Sequence, residues 1–239
     1  MKVYVINLDK DKEKMASIDA QLRRLGVEYE RFPAIYAKEM PEDERDKAVN
    51  RFRWWCAMGR PIAPAEIGCA LSHFAIYRQI EEPVCILEDD VILGERFKEN
   101  LAQVESFVDT AKPQVVMLSD HTGMYRNVEV IGGAIRRSST AMCTDGYVIT
   151  PAAGKALLEQ NCPIIVPCDT WGRWSKQGKI EIYHALPNAV SQDQVTFGSS
   201  TFAERVVVAD LPPARWMWHK AKRCVGRAVD LILVKVTGR

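Results

Sequence analysis

The chain lacks the patterns that would place it quickly in several large classes. Its seven cysteines, at 56, 69, 85, 143, 162, 168 and 224, include no C-x-x-C pair, which excludes a dense disulfide framework and the usual zinc spacings. Several lie inside apolar segments, where a free thiol behaves as a small hydrophobe. No stretch of the sequence approaches the ~20 apolar residues of a membrane-spanning helix. The N-terminal run Met1-Lys2-Val3-Tyr4-Val5-Ile6-Asn7 turns polar too soon for a secretory signal, so a cytoplasmic location is expected. Neither G-x-x-x-x-G-K-S/T nor G-x-G-x-x-G occurs, and the common glycine loops for phosphates and dinucleotides are therefore missing. Internal repeats and low-complexity runs are absent as well.

What is present is an ordinary globular composition, 47% hydrophobic and 26% charged over 239 residues, enough for one substantial domain. Lys2 to Asn7 reads as a strand, and Asp9 as the cap of a helix whose apolar stripe is Met15, Ile18, Leu22 and Leu25. Gly26 closes that helix, and a second strand is expected over 29–35, giving β-α-β. Residues 38–63 read as an inserted helix and loop. Pro64 opens a helix through Glu82, followed by the apolar strand Val84–Leu87. Further strands are expected at 114–119, 141–150 and 180–185, with a hairpin at 128–136 and helices near 97–108 and from Pro151. The predicted architecture is a Rossmann-type α/β sheet flanked by helices over 1–212, with an amphipathic helix over 213–239.

Charge is distributed unevenly along this chain. From Arg215 to Arg239 there are seven Lys/Arg against one Asp, although the whole sequence is only +1. The tail interleaves Lys220, Lys222, Arg223 and Arg227 with Trp216, Trp218, Val225, Val229, Ile232, Leu233 and Val236. A basic amphipathic helix suits an anionic membrane surface; a helix docked on the protein with its basic side in water is the other reading. The acidic remainder speaks against nucleic acid as a partner.

The strongest local signal is Glu88-Asp89-Asp90, three acids directly after Cys85-Ile86-Leu87. Ligands of parallel α/β sheets bind beyond the carboxyl ends of strands, where these acids are expected. Massed carboxylates are costly unless a cation offsets them, and hard oxygen ligands suit Mg²⁺ or Mn²⁺ bridging to phosphates. In isolation the triplet also reads as a solvated acidic turn.

The order of motifs narrows this. Val5-Ile6-Asn7-Leu8-Asp9, then Pro64-Ala65-Glu66-Ile67-Gly68-Cys69-Ala70-Leu71-Ser72-His73, then Ile86-Leu87-Glu88-Asp89-Asp90 follow one another. Gly146-Tyr147-Val148-Ile149-Thr150, Pro167-Cys168-Asp169 and Pro187-Asn188-Ala189-Val190-Ser191-Gln192 come later. Together they resemble glycosyltransferase family 25, which includes bacterial lipopolysaccharide and lipooligosaccharide glycosyltransferases. Lys10 stands where relatives often carry Arg, and Asp169-Thr170 where they often carry two acids.

The resemblance implies a GT-A-like fold and inverting, metal-dependent transfer of galactose or glucose from a UDP-sugar. It implies a lipid-linked saccharide acceptor and work at the inner face of the cytoplasmic membrane. Glu88-Asp89-Asp90 then stands for the D-x-D motif, with Asp90 and Glu88 on Mn²⁺ (or Mg²⁺) and Asp89 on ribose or sugar hydroxyls. Asn7 and Leu8 meet the nucleotide, unless Asn7 is only a turn residue. His73 donates to phosphate or sugar; Glu66, Ser72 and Tyr147 belong to the same donor site. Gly146 lets the backbone approach a ligand. Asp169 is the expected general base, with helix capping as its alternative and Asp145 as its competitor. His184 and Asp193 are late metal or diphosphate contacts. A nucleotidyl- or phosphotransferase using the same acids, and a catalytically degenerate membrane-associated saccharide-binding protein, remain open readings.

Overall fold

Strand β1 (Lys2–Asn7) is a β-branched, apolar run buried from Val3 onward, and in a computed structural model it takes the second place of the main sheet. The structure describes residues 1–119, 135–198, 224–226 and 228–236. Helix α1 (Lys12–Arg24) follows β1, and β2 (Glu30–Pro33) returns parallel to it. Asp11 holds the N-cap position without a side-chain cap bond; Asp9, the expected cap, pairs instead with Arg31. Gly26 closes α1 as expected, at φ +63°, a left-handed conformation glycine adopts at little cost.

The chain then leaves for α2 (Glu42–Ala48), α3 (Arg51–Met58) and α4 (Pro64–Tyr77), and α4 stops short of the expected Glu82. On return, β3 (Val84–Glu88) pairs parallel to the opposite edge of β1. The later elements are β4 (Val91–Leu93), α5 (Phe97–Phe107), β5 (Gln114–Met117), β6 (Ile135–Ser138), β7 (Gly146–Ile149), α6 (Pro151–Asn161), α7 (Trp171–Lys176), β8 (Glu181–Ala185) and β9 (Val190–Gln192). Seven strands form one mixed sheet in the order β2-β1-β3-β7-β5-β8-β6, and β4 pairs with β9 in a separate ribbon. This is the helix-flanked mixed α/β sheet that the sequence implied. Most of the expected 128–136 hairpin lies outside the described residues; its end is β6, antiparallel to β8.

The described residues fall into two compact units. The first holds the sheet, α1, α5 and α7. One face of its sheet packs Val3, Val5, Cys85, Leu87, Val116 and Val148 with Ile18 and Leu22 of α1 and Phe97, Leu101 and Val104 of α5. The other face carries Ile86 and Tyr147, and there Tyr147 meets the Trp171 ring at 5.1 Å. Each such fully buried large apolar side chain stabilises by about 1.5–3 kcal/mol.

The second unit contains α2, α3 and, from the C-terminal stretch, the helical residues 224–226 and 228–236. The expected boundary at 212/213 and residues 216–223 lie outside the described residues. Gly226 lies against α3, where a Cβ would stand 2.7 Å from the Cys56 carbonyl oxygen. Asp230 is buried with the Arg53 guanidinium 3.9 Å away. Val225, Leu231, Ile232 and Val236 are more than 60% exposed. This helix therefore docks through a glycine and an acid and leaves apolar side chains outward. Among the described residues no helix is long and apolar enough to cross a membrane.

Candidate active site at the ends of β1 and β3

From β1 the chain passes to β2 on one side and later to β3 on the other, so a crevice opens beyond the carboxyl ends of β1 and β3, the place where α/β sheets bind ligands. Ile6 pairs with Glu88, which brings Asn7 beside the acids. Asn7 is buried and both of its amide hydrogens are used. It donates to Asp89 Oδ2 at 2.6 Å and to the Asp11 carbonyl at 3.0 Å, while its oxygen accepts from Arg31 Nε at 2.9 Å. Asn7 thereby holds the Asp89 carboxylate, with both amide hydrogens spent. Leu8, half-buried, accepts the Asp11 N–H through its carbonyl.

Lys14, which the sequence did not single out, enters the cluster from α1. Its ammonium lies 3.1 Å from Asp90 Oδ2 and 3.6 Å from Asp89 Oδ1. The available signal was its spacing from Gln21: seven residues on a helix share one face. Gln21 bonds the Val91 carbonyl and the Leu93 N–H, fixing α1 against the ribbon that follows the acids. Asp193 arrives from the far end of that ribbon, its N–H donating to the Asp90 carbonyl at 2.7 Å.

Glu88 closes β3 and turns toward the sheet face of Tyr147. Its Oε1 accepts from Thr144 at 2.5 Å and lies 3.4 Å from His73 Nε2. The other His73 nitrogen is 2.6 Å from the Tyr147 hydroxyl, which is 2.6 Å from that of Tyr77. His73 and Tyr147 are buried and steady Glu88 from within. Ser72 accepts the Ile35 N–H through Oγ, tying α4 to the loop after β2.

Burial raises Asp90, and the neighbouring Glu88 charge raises it further, to about 6 despite Lys14. Burial likewise raises Asp89, against the pull of Lys14 and Asn7. Glu88 stays below the usual carboxylate range, its burial being outweighed by His73 and Thr144. Neighbouring carboxylates whose surroundings push them in opposite directions differ in how readily each gives up its proton. The donor set fits a divalent ion: Asp90 is 7% exposed and its buried Oδ1 has no hydrogen-bond partner among the described residues. Native proteins rarely leave such an atom unanswered without a functional reason.

Other expected site residues have different surroundings. Asp145 is completely buried, accepts the Ser119 hydroxyl at 2.7 Å and offers its carbonyl to the Glu88 N–H. It supports the strand ends from inside. At Gly146 an added Cβ would fall 2.8 Å from a Val190 methyl, so a side chain closely approaches the backbone there. Gly146→Ala is expected to cost about 1–3 kcal/mol through overpacking, and Val190→Ala in the same chain to recover most of it, as measured by denaturant unfolding.

His184 pairs with Met117, which pairs with Tyr147, which pairs with Ile86. Three strand spacings of about 4.8 Å separate it from β3, too far to share an ion with Asp90; its Nε2 lies 3.2 Å from the Thr140 carbonyl. Glu66 belongs to the second unit, buried and held by both terminal nitrogens of Arg60 and by the Ala63 N–H. Asp169 is half-buried, two residues before Trp171, whose indole donates to the Cys143 carbonyl at 2.7 Å. Thr170, not Asp169, holds the N-cap position of α7.

The family model for glycosyltransferase family 25 (LPS biosynthesis protein) matches residues 1–171. The chain belongs to glycosyltransferase family 25. A family member of Aedes aegypti is 30% identical over 71% of this chain and 30% of its own length. A Haemophilus influenzae protein named as a glycosyltransferase is 27% identical over 70% of this chain and 61% of its own. Procollagen galactosyltransferase 1-A of Xenopus laevis is 26% identical over 46% of this chain and 19% of its own. The chain thus spans less than a third of the first curated relatives it matches.

Proposed function

We propose that this family 25 member transfers a hexose, galactose or glucose, from a UDP-sugar to a saccharide acceptor of the lipopolysaccharide or lipooligosaccharide type, with inversion. The observation that carries the reading is the buried, partnerless Oδ1 of Asp90 beside Asp89 and Glu88. Galactose is favoured by the name of the procollagen relative. Mn²⁺ or Mg²⁺, held by Asp90 with Glu88 alongside, would supply Lewis-acid neutralisation of the departing diphosphate. Asn7 fixes Asp89 for hydroxyls of ribose or sugar, and the His73–Tyr147–Tyr77 chain fixes Glu88. Asp169, as general base, takes the proton of the acceptor hydroxyl. A screen of UDP-hexoses for transfer and hydrolysis, with and without Mn²⁺, tests this reading; no turnover with any of them overturns it.

The acceptor is read as lipid-linked because the C-terminal helix has its apolar side chains outward within a basic tail. Such a face inserts at the boundary of anionic lipids, which supports a peripheral position at the inner face of the cytoplasmic membrane. Ile232→Ser with Val236→Ser is expected to leave the melting temperature unchanged, both residues being exposed. Affinity for phosphatidylglycerol vesicles should fall tenfold or more in flotation assays, since each lost apolar contact is worth on the order of 1 kcal/mol. Unaltered binding would return the tail to a structural role.

A further inference from the structure

The acidic cluster carries a cation of its own. The Lys14 side chain is 16% exposed, and its ammonium sits between Asp90 Oδ2 and Asp89 Oδ1. The Phe197 ring covers it at 5.9 Å. Its placement is built in, because Gln21 on the same face of α1 locks the helix to Val91 and Leu93. Lys14 reaches one oxygen of Asp90 and leaves the other, buried Oδ1, without a partner. An ammonium offers three donors and a single charge, so it answers part of what the three carboxylates demand. A divalent ion on the same oxygens would repel it at close range. Its four-carbon stem is flexible enough to turn the charge elsewhere.

We propose that Lys14 is a resident counter-ion of the donor site. It holds Asp89 and Asp90 in place while no divalent ion is bound, yields them when one arrives, and turns its ammonium onto the nucleoside diphosphate. This rests on the metal-dependent, UDP-sugar reading above. Lys14 and the metal then compete for the same oxygens, whereas Lys14 and the metal cooperate toward the diphosphate.

Lys14→Met keeps the stem and removes the charge. Mn²⁺ alone should bind this variant about tenfold more tightly than wild type, the scale of one nearby charge on such an equilibrium. UDP at saturating Mn²⁺ should bind it about tenfold more weakly. Lys14→Arg retains the charge and should stay near wild type in Mn²⁺ affinity. Mn²⁺ is followed by electron paramagnetic resonance of the free ion and UDP by calorimetry, with circular dichroism melts to confirm folding. If Lys14→Met proves unfolded, Lys14→Gln takes its place. Wild type that binds Mn²⁺, with the neutral variant binding it equally or less tightly, overturns the counter-ion role and leaves the metal reading standing. Wild type that takes up no Mn²⁺, with UDP binding indifferent to it, overturns the metal reading and the counter-ion role with it.

Discussion

Asp90→Asn should abolish sugar transfer and at the same time make the metal-free protein more stable at pH 7. The first half follows from the loss of the carboxylate assigned to the metal. Turnover should fall by at least about 10³, comparable to removing one preorganised group that stabilises developing charge. The second half follows from burial. Asp90 titrates at about 6 in the folded chain, whereas an unfolded Asp titrates near 3.9. A raised carboxyl contributes stability below the unfolded value and loses it as pH climbs through the folded value. The window for Asp90 is therefore about pH 4 to 6, and the penalty is complete at pH 7. Two units correspond to about 3 kcal/mol, and Asn, which cannot ionise, avoids that penalty. A melting temperature higher by roughly 6–12 °C at pH 7, shrinking toward pH 4, is the expected result. Glu88, held below its usual range, acts with the opposite sign, so pH curves of mutant and wild type must be subtracted. A well-folded Asp90→Asn with full activity would sink the metal assignment. An unchanged melting temperature at both pH values would remove the stored strain.

Asp169→Asn should lower kcat by about 10²–10⁴, the usual contribution of a general base, while KM for the UDP-sugar changes less than threefold. A base for the acceptor acts on the second substrate, so donor affinity is not its business. Position favours Asp169 over its competitor: Asp145 is sealed, whereas Asp169 is half-buried and sits just before an anchored Trp171. Asn keeps the shape and hydrogen-bonding capacity and loses only the basicity. If turnover is unchanged, Asp169 is not the base. If donor KM rises in step with the loss of kcat, Asp169 belongs to the donor subsite.

The sequence by itself determined the parts that local pattern controls. An apolar run ending in three acids reads as a strand whose carboxyl end carries charge, and the ordered family motifs separated it from a solvated turn, so Glu88, Asp89 and Asp90 were legible in the sequence. The first β-α-β unit, its closing Gly26 and the ordered family motifs were legible for the same reason. Alternation was the limit of that reading. Strand alternation alone would put Glu88 and Asp90 on one side, but β3 ends at Glu88, and beyond the strand the two-residue period no longer governs direction.

Only the tertiary structure decided which polar groups meet, because the decisive bonds join residues far apart in the chain. Asn7 spends its amide on Asp89, 82 residues away, and Lys14 reaches Asp90 across 76. Tyr147 and His73, 74 residues apart, meet behind Glu88 and form a buried support for it. Gly146 is small because Val190 occupies the space a Cβ would need. The tail's composition announced a basic amphipathic helix; its orientation did not follow from composition. Docking through Gly226 and Asp230 fixed which side is covered, and so left Val225, Leu231, Ile232 and Val236 facing outward.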